Sequence, residues 1–211
     1  MVSLKELVYV VDDDFRVRES LSILLRSHGK EVVAFTCGKE FLAYQREDDY
    51  ACLLLDLSMP SMSGLEVQEQ LMAQAALPII FITGRGDVPS TAQAMKSGAI
   101  DFLTKPLDEG KLLATIDRAL AKDRLLRAER NERERLRSLY ASLTPREQQV
   151  MFLLVNGMLN KQAASQLGIT EYTVQVHRGH IMKKLRADSF AALVKLAGKF
   201  PPDLGISPEH Q

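Results

Sequence analysis

Apolar runs of four or five residues alternate with amphipathic stretches along the first part of the chain. Leu7 to Val11 is followed by Arg16 to Ser27, where Val17, Leu21, Leu24 and Leu25 fall at helical spacing. The alternation continues through Val32 to Phe35 and Lys39 to Tyr44, Ala51 to Leu55 and Leu65 to Gln74, Ile79 to Thr83 and Ser90 to Ser97, and Phe102 to Thr104 and Lys111 to Lys122. Continuous apolar strands, each paired with a helix, predict five βα units: an α/β doubly wound, five-stranded parallel sheet covered on both faces. Pro89 suits a first helical turn, Gly98 a helix C-terminus, and Asp108 an N-cap.

The pattern changes at Ala121. AKDRLLRAERNERERLR has no Gly or Pro and carries 7 basic and 4 acidic residues over 122–137, which predicts an exposed helix continuing from the fifth unit. Its leucines, with Leu113 and Leu120 before them and Leu139 after, keep no heptad, so it is not read as a coiled coil. Thr144-Pro145-Arg146-Glu147 then forms a capping box opening a helix with Val150, Leu153 and Leu154 on its apolar face. A helix from Lys161 to Leu167, a turn at Gly168, and a helix capped by Thr170 and running through Leu185 read as a helix-turn-helix. Pro201 to Gln211 is polar and Pro/Gly-containing and reads as a disordered tail. The chain therefore divides into residues 1–121, a helical linker 122–141, an all-α domain 142–200 and a tail 201–211.

The formal net charge of zero hides an asymmetry. Residues 1–121 carry 12 Lys/Arg against 18 Asp/Glu, and residues 138–200 carry 8 against 3, which points to a nucleic-acid partner for the basic half. The absence of a leader pattern and of long apolar runs leads us to expect a cytoplasmic protein with no membrane association. Cys37 and Cys52 form no disulfide framework or metal motif.

Polar residues stand at the ends of four of the five strands: Asp12 and Asp13, Asp56, Thr83, and Lys105. Clustered carboxylates repel unless a cation neutralises them, and a few carboxylates at an open site suit magnesium. A phosphoryl group on Asp56 could be paired by Lys105 and hydrogen-bonded by Thr83, which makes Asp56 a candidate nucleophile for aspartyl-phosphate chemistry. In the second half, Val174, Ile181 and Leu185 form the buried stripe of the third helix. Glu171, Gln175, Arg178, Gly179 and Met182 are then expected on its outer face, where Gln can pair with adenine, Arg with guanine, and Val176 can touch a thymine methyl. Lys161, Thr170, Thr173, Lys183 and Lys184 suit phosphate contacts.

VVDDD, LLLDLSMPSMSG, FITGRGDV and DFLTKP together resemble the signature segments of bacterial response-regulator receiver domains over about residues 5–122. The resemblance implies that Asp56 accepts phosphate from a sensor histidine kinase. It implies magnesium held by Asp13, Asp56 and the backbone carbonyl of Ser58, with Asp12 acting through water, and a switch pair of Thr83 and Phe102. It further implies a cis peptide at Lys105–Pro106. Gly84 stands where many receivers carry Ala, which leads us to expect a more mobile loop before Val88.

LTPREQQVMFLLVNGMLNKQAASQLGITEYTVQVHRGHIMKKL is similar to the LuxR-type DNA-binding domain. That resemblance implies four helices, the last from Ser189 to Lys199 serving dimer contact on DNA. Many relatives are basic at the positions of Gln175 and Gly179, so affinity is expected to lean on Arg178 and the flanking lysines.

The combination resembles the FixJ/NarL group of two-component regulators, nearest its FixJ-like branch. It implies a phosphorylation-switched transcription activator that dimerises on phosphorylation, binds double-stranded promoter DNA and acts on RNA polymerase. No enzymatic activity is expected beyond self-catalysed phosphoryl acceptance and hydrolysis. A phosphorelay intermediate and a constitutive DNA-binding protein are the two alternatives.

Overall fold

The computed structural model describes residues 5–46, 49–74, 77–84 and 88–206. They divide into two compact units, Met1–Arg127 and Ala128–Gln211. In the first, β1 (Glu6–Val11), α1 (Phe15–Ser27), β2 (Glu31–Phe35), α2 (Gly38–Ala43), β3 (Tyr50–Asp56), α3 (Gly64–Gln74), β4 (Ile79–Thr83), α4 (Val88–Lys96) and β5 (Asp101–Thr104) alternate before the long helix α5 (Glu109–Ala141). The strands are all parallel, in the order β2-β1-β3-β4-β5. This is the doubly wound sheet that the alternation predicts. The expected loop mobility falls largely on residues 85–87, outside the described residues.

The pleat assigns successive side chains to opposite faces. Leu7, Tyr9, Val11, Leu53, Leu55, Ile79 and Phe81 enter one core with Phe41, Val67 and Leu71. Val8, Val10, Cys52, Leu54, Ile80, Ile82 and Leu103 enter the other with Leu21 and Leu25 of α1 and Leu112 and Ile116 of α5. Both faces of the strands are therefore dry, and each fully buried Leu or Ile contributes roughly 2 kcal/mol. Burial also pushes the Cys52 thiol up, which leaves it an inert core residue.

Two glycines set how closely the helices approach. A Cβ on Gly64 would stand 2.5 Å from the Asp56 carbonyl oxygen and 2.9 Å from Phe81, and one on Gly38 would stand 2.3 Å from Val67. Gly64 thus lets α3 begin directly behind the end of β3. The buried Gln68 amide then donates to the carbonyls of Ala94 and Ser97, tying α3 to the end of α4.

Helix α5 does not detach from the sheet at residue 121. The buried Asp123 carboxylate accepts from the Ala51 backbone N–H (3.0 Å) at the start of β3 and from Arg127 Nε (2.7 Å). Arg124 pairs with Glu6 at the start of β1 and lies over the Tyr50 ring. The expected linker of 122–141 is helical, but its first residues are bonded to the sheet of the first unit. Its last residues serve the second unit, where Leu136 is buried and Leu139 and Tyr140 pack on the core.

The second unit adds α6 (Pro145–Val155), α7 (Asn160–Leu167), α8 (Glu171–Leu185), α9 (Phe190–Ala197) and a short 3-10 turn at Pro202–Leu204. Thr144 closes the predicted capping box with Glu147, Gly168 takes the left-handed conformation after α7, and Thr170 caps α8. Ser189 caps α9. The expectation of a disordered tail from Pro201 is corrected over its described part. Ile206 is 2% exposed in the second core, Leu204 packs against the same core, and Asp203 pairs with Arg137 at 3.0 Å. Phe200 leads the chain inward by packing on Tyr140, ring centroids 5.6 Å apart. Among the described residues no helix is long and apolar enough to cross a membrane.

Two expected outcomes follow from these anchors. Asp123→Ala leaves the Ala51 N–H without its buried acceptor and should cost about 3 kcal/mol in urea unfolding of the first unit, whereas Asp123→Asn, which keeps an acceptor oxygen, should cost about 1 kcal/mol. Glu147 is 3% exposed. Burial alone would raise its pKa, but hydrogen bonds from Lys184 Nζ and the Thr144 N–H, both 2.7 Å, outweigh that and hold it below the usual 4.5. An acid depressed in the folded state contributes stability that is complete above 4.5 and is lost as pH falls through its folded value. Acid titration of the second unit's melting temperature should show that loss, and Glu147→Gln should remove this component of it.

Candidate phosphoryl-acceptor pocket and nucleic-acid interface

β1 and β3 are adjacent, in a register that pairs Val11 with Leu55, so the residues that follow them, Asp12 and Asp56, lie side by side. The chain turns outward to β2 on one side of β1 and to β3 on the other, which makes this edge the topological switch point where open α/β sheets hold ligands. The pleat adds a second constraint. Asp12, Asp56 and Lys105 continue the parity of Val10, Leu54 and Leu103, the face covered by α1 and α5. Thr83 and Phe102 share the opposite parity, with Phe81 and Tyr9.

Asp12 is 1% exposed and Asp56 5% exposed. Lys105 Nζ donates to Asp12 Oδ2 at 2.7 Å and to Asp56 Oδ1 at 2.9 Å. The other oxygens are also engaged: Asp56 Oδ2 accepts from the Ser58 N–H (2.8 Å) and Asp12 Oδ1 from the Asp14 N–H (2.9 Å). Burial lowers the Lys105 pKa, but its bonds to the two carboxylates outweigh that and hold it above the usual value. Asp12 is raised as well, which for an acid disfavours the charged form. Its burial exceeds what Lys105 and the Asp14 N–H return, so its carboxyl is held above the ordinary 3.8. A favoured ammonium beside a disfavoured carboxylate is consistent, because one ammonium serves two carboxylates and each acid receives only part of its charge.

The acidic triplet has three separate roles. Asp12 enters the pocket, Asp13 is exposed at its rim, and Asp14 caps α1 by accepting from the Arg16 N–H at 2.8 Å. Arg18, which the sequence did not single out, clamps this loop by donating to the carbonyls of Asp12 (2.8 Å) and Asp13 (2.9 Å). Among the described residues no group of three or more His, Cys, Asp or Glu side chains converges to hold a metal, and Asp13 is exposed beside the buried Asp12 and Asp56. Two buried carboxylates facing one ammonium nevertheless leave an excess of negative charge, and an all-oxygen donor set fits a hard divalent cation.

Thr83 ends β4 as a 1% exposed side chain. Phe102 lies opposite Phe81 in register and packs, half-buried, against that core. The Lys105–Pro106 peptide is cis, and the Lys105 N–H donates to the Thr83 carbonyl at 2.7 Å, holding the lysine's strand end against β4.

In the second unit α8 exposes Glu171, Gln175, Val176 and Gly179 as expected, but Arg178 and Met182 depart from that face. Val174, Ile181 and Leu185 are buried as predicted, and Gln175 and Gly179 are exposed. Arg178, expected to read bases, instead stacks its guanidinium over the Phe190 ring of α9 at 4.6 Å. Met182 is half-buried and packs on the core. The reason is angular: at 100° per residue, positions 178 and 182 lie beside the buried stripe on the α9 side, and the opposite side is Tyr172, Val176, Gly179 and Lys183. Tyr172, 76% exposed, was missed, although a complement of the Val174, Ile181 and Leu185 stripe would have found it. Lys161 and Lys183 are exposed, and Lys184 is held by Glu147. Thr170 and Thr173 bond each other at the start of α8 (Oγ1 to Oγ1, 2.8 Å).

Because the ionised Asp12 carboxylate is under-compensated, it lowers stability at neutral pH. A carboxyl whose folded pKa is raised loses stability as pH rises from 3.8 through its folded value. Asp12→Asn should therefore raise the receiver's melting temperature at neutral pH, with the gain shrinking as pH approaches 3.8; a lower melting temperature at pH 7 would contradict this.

Two family models match the chain, the response regulator receiver domain over residues 8–117 and the luxR family of bacterial regulatory proteins over residues 141–197. Nodulation protein W of Bradyrhizobium diazoefficiens is 46% identical over 209 residues, 99% of this chain and 90% of that protein. Response regulator protein TodT of Pseudomonas putida is 43% identical over 198 residues, 93% and 87% of the two chains. Among solved structures, response regulator StyR matches with a TM-score of 0.85 at 50% identity, covering 93% of this chain and all of that one. Full-length FixJ from B. japonicum matches with a TM-score of 0.57 at 37% identity, covering 92% and 97%. With an acid pocket at the switch point of one unit and a helix-turn-helix in the other, the chain belongs to the FixJ-like two-component response regulators, phosphorylation-dependent transcription regulators with a luxR-type DNA-binding domain.

Proposed function

We propose that Asp56 accepts a phosphoryl group from a sensor histidine kinase and that this promotes dimerisation, promoter binding and activation of transcription. The supporting observation is the Lys105 ammonium held between Asp12 and Asp56 at 2.7 and 2.9 Å. An Asp56 carboxylate oxygen forms the bond to phosphorus as the bond to the donor's nitrogen breaks, with the developing charge on the phosphoryl oxygens. Lys105 would pair with one of those oxygens and Thr83 would hydrogen-bond another. Asp13, Asp56 and the Ser58 carbonyl, with Asp12 acting through water, would hold magnesium, which when bound neutralises phosphoryl charge. The protein positions these groups and turns over no separate substrate, so it is a regulator rather than an enzyme.

Phosphorylation adds negative charge and acceptor oxygens beside Lys105 and Thr83, and it favours whichever arrangement of β4, α4 and β5 pairs them. Phe102, on the same face as Thr83, is the aromatic that must accommodate such a change. A dimer sets two α8 helices on paired half-sites of double-stranded DNA and adds avidity to a modest single-domain affinity. Contact with RNA polymerase completes an activator acting in the cytoplasm. A phosphorelay intermediate would have no use for the exposed face of α8.

Light scattering with magnesium and a small phosphodonor tests this. Wild type should shift from monomer to dimer and Asp56→Asn should not; equal behaviour of the two would contradict dimerisation as the output.

A further inference from the structure

The outward side of α8 carries Tyr172, Val176, Gly179 and Lys183, spaced four, three and four residues apart along one line of the helix. Its N-terminal half is apolar and open, with Tyr172 76% and Val176 37% exposed one turn apart. Single exposed apolar residues are ordinary, but two in line on a helix-turn-helix recognition helix stand where such helices meet base edges.

Gly179 is exposed and lies inside the helix, and a Cβ there would meet nothing within 4 Å. Its φ is not positive. The chain's own packing therefore does not need glycine, which costs the helix roughly 1 kcal/mol relative to alanine. Its use lies in what approaches from outside. Arg178 stacks on Phe190 beside the buried stripe, so the outward line itself carries no guanidinium.

The thymine methyl is the apolar feature of the major-groove edge. We infer that the exposed stripe of α8 reads DNA chiefly through thymine methyl groups. Tyr172 and Val176 take the methyls of neighbouring A·T pairs, Gly179 leaves the opening through which the duplex edge approaches, and Lys183 meets a phosphate. Gln175, exposed at the margin of the stripe, can pair with adenine in the same A·T steps. This deepens the proposed promoter-binding function and rests on it.

The test is selection of tight-binding duplexes from a random pool by the full-length protein with magnesium and a phosphodonor. Each thymidine of the selected half-site is then replaced by deoxyuridine, which removes only the methyl. Two replacements should each weaken binding about fourfold, the effect of one buried methyl. One penalty should vanish in Val176→Ala and the other in Tyr172→Ala. Gly179→Leu should keep or raise the melting temperature, since the space is open, yet weaken specific binding at least about tenfold. Sequence-specific binding with no deoxyuridine penalty, or with penalties unchanged in both alanine variants, overturns the methyl reading alone. Wild-type affinity in Gly179→Leu overturns the role of the opening. A pool that yields no preferred sequence overturns promoter binding itself, and the inference with it.

Discussion

Two carboxylates cannot both be ionised in a nearly water-free pocket unless a cation stands between them, and the ends of β1 and β3 place Asp12 and Asp56 under that constraint. Lys105 relieves it by bonding both. The lysine comes from the far edge of the sheet, two strands from β3, and its backbone is fixed to β4 through the Thr83 carbonyl. A change in charge at Asp56 is therefore felt at once by β1, β4 and β5. The raised Asp12 and the raised Lys105 are two sides of this arrangement: both acids favour the lysine's charge, while Asp12 keeps an uncompensated share of its burial cost.

The strand that carries Asp56 at one end is held at the other by α5. Asp123 accepts from the first N–H of the β3 apolar run, while Arg124 reaches Glu6 of β1. The same helix supplies Leu136, Leu139 and Tyr140 to the second core. One continuous element thus shares contacts with the sheet that bears the acceptor and with the unit that bears α8. In that second unit the recognition helix is secured by Thr170 at its start and by Lys184 on Glu147, and Arg178 is drawn toward Phe190. These contacts leave its outward line to Tyr172, Val176, Gly179 and Lys183.

Much of this was legible in the sequence because parallel sheets place chemistry by rule. Apolar runs ending in Asp12, Asp56, Thr83 and Lys105 identified the sheet edge, and pleat parity brought three of them onto one face. What escaped depended on partners distant in sequence. Asp13 and Asp14 could not be told apart until the start of α1 showed which one caps it. Asp123 looked like one acid among several on a charged helix, and only the first residues of β3, which precede its pairing with β4, distinguish it. Arg178 was assigned outward because Phe190 comes from another helix. Ile206, an isolated apolar residue in a Pro/Gly-rich stretch, carries no periodic signal, and its burial depends on the pocket formed around Phe200. Gly64 carries no periodic signal, and its requirement is the close approach of the Asp56 carbonyl.

The central claim is that the acid held by Lys105 is the one that takes the phosphoryl group. Intact-protein mass spectrometry after incubation with magnesium and a small phosphodonor addresses it most directly. Wild type should gain the mass of a single phosphoryl group, lost again under mild alkali as an acyl phosphate is, and Asp56→Asn should gain none. Equal incorporation in Asp56→Asn, or none in wild type, would contradict the account.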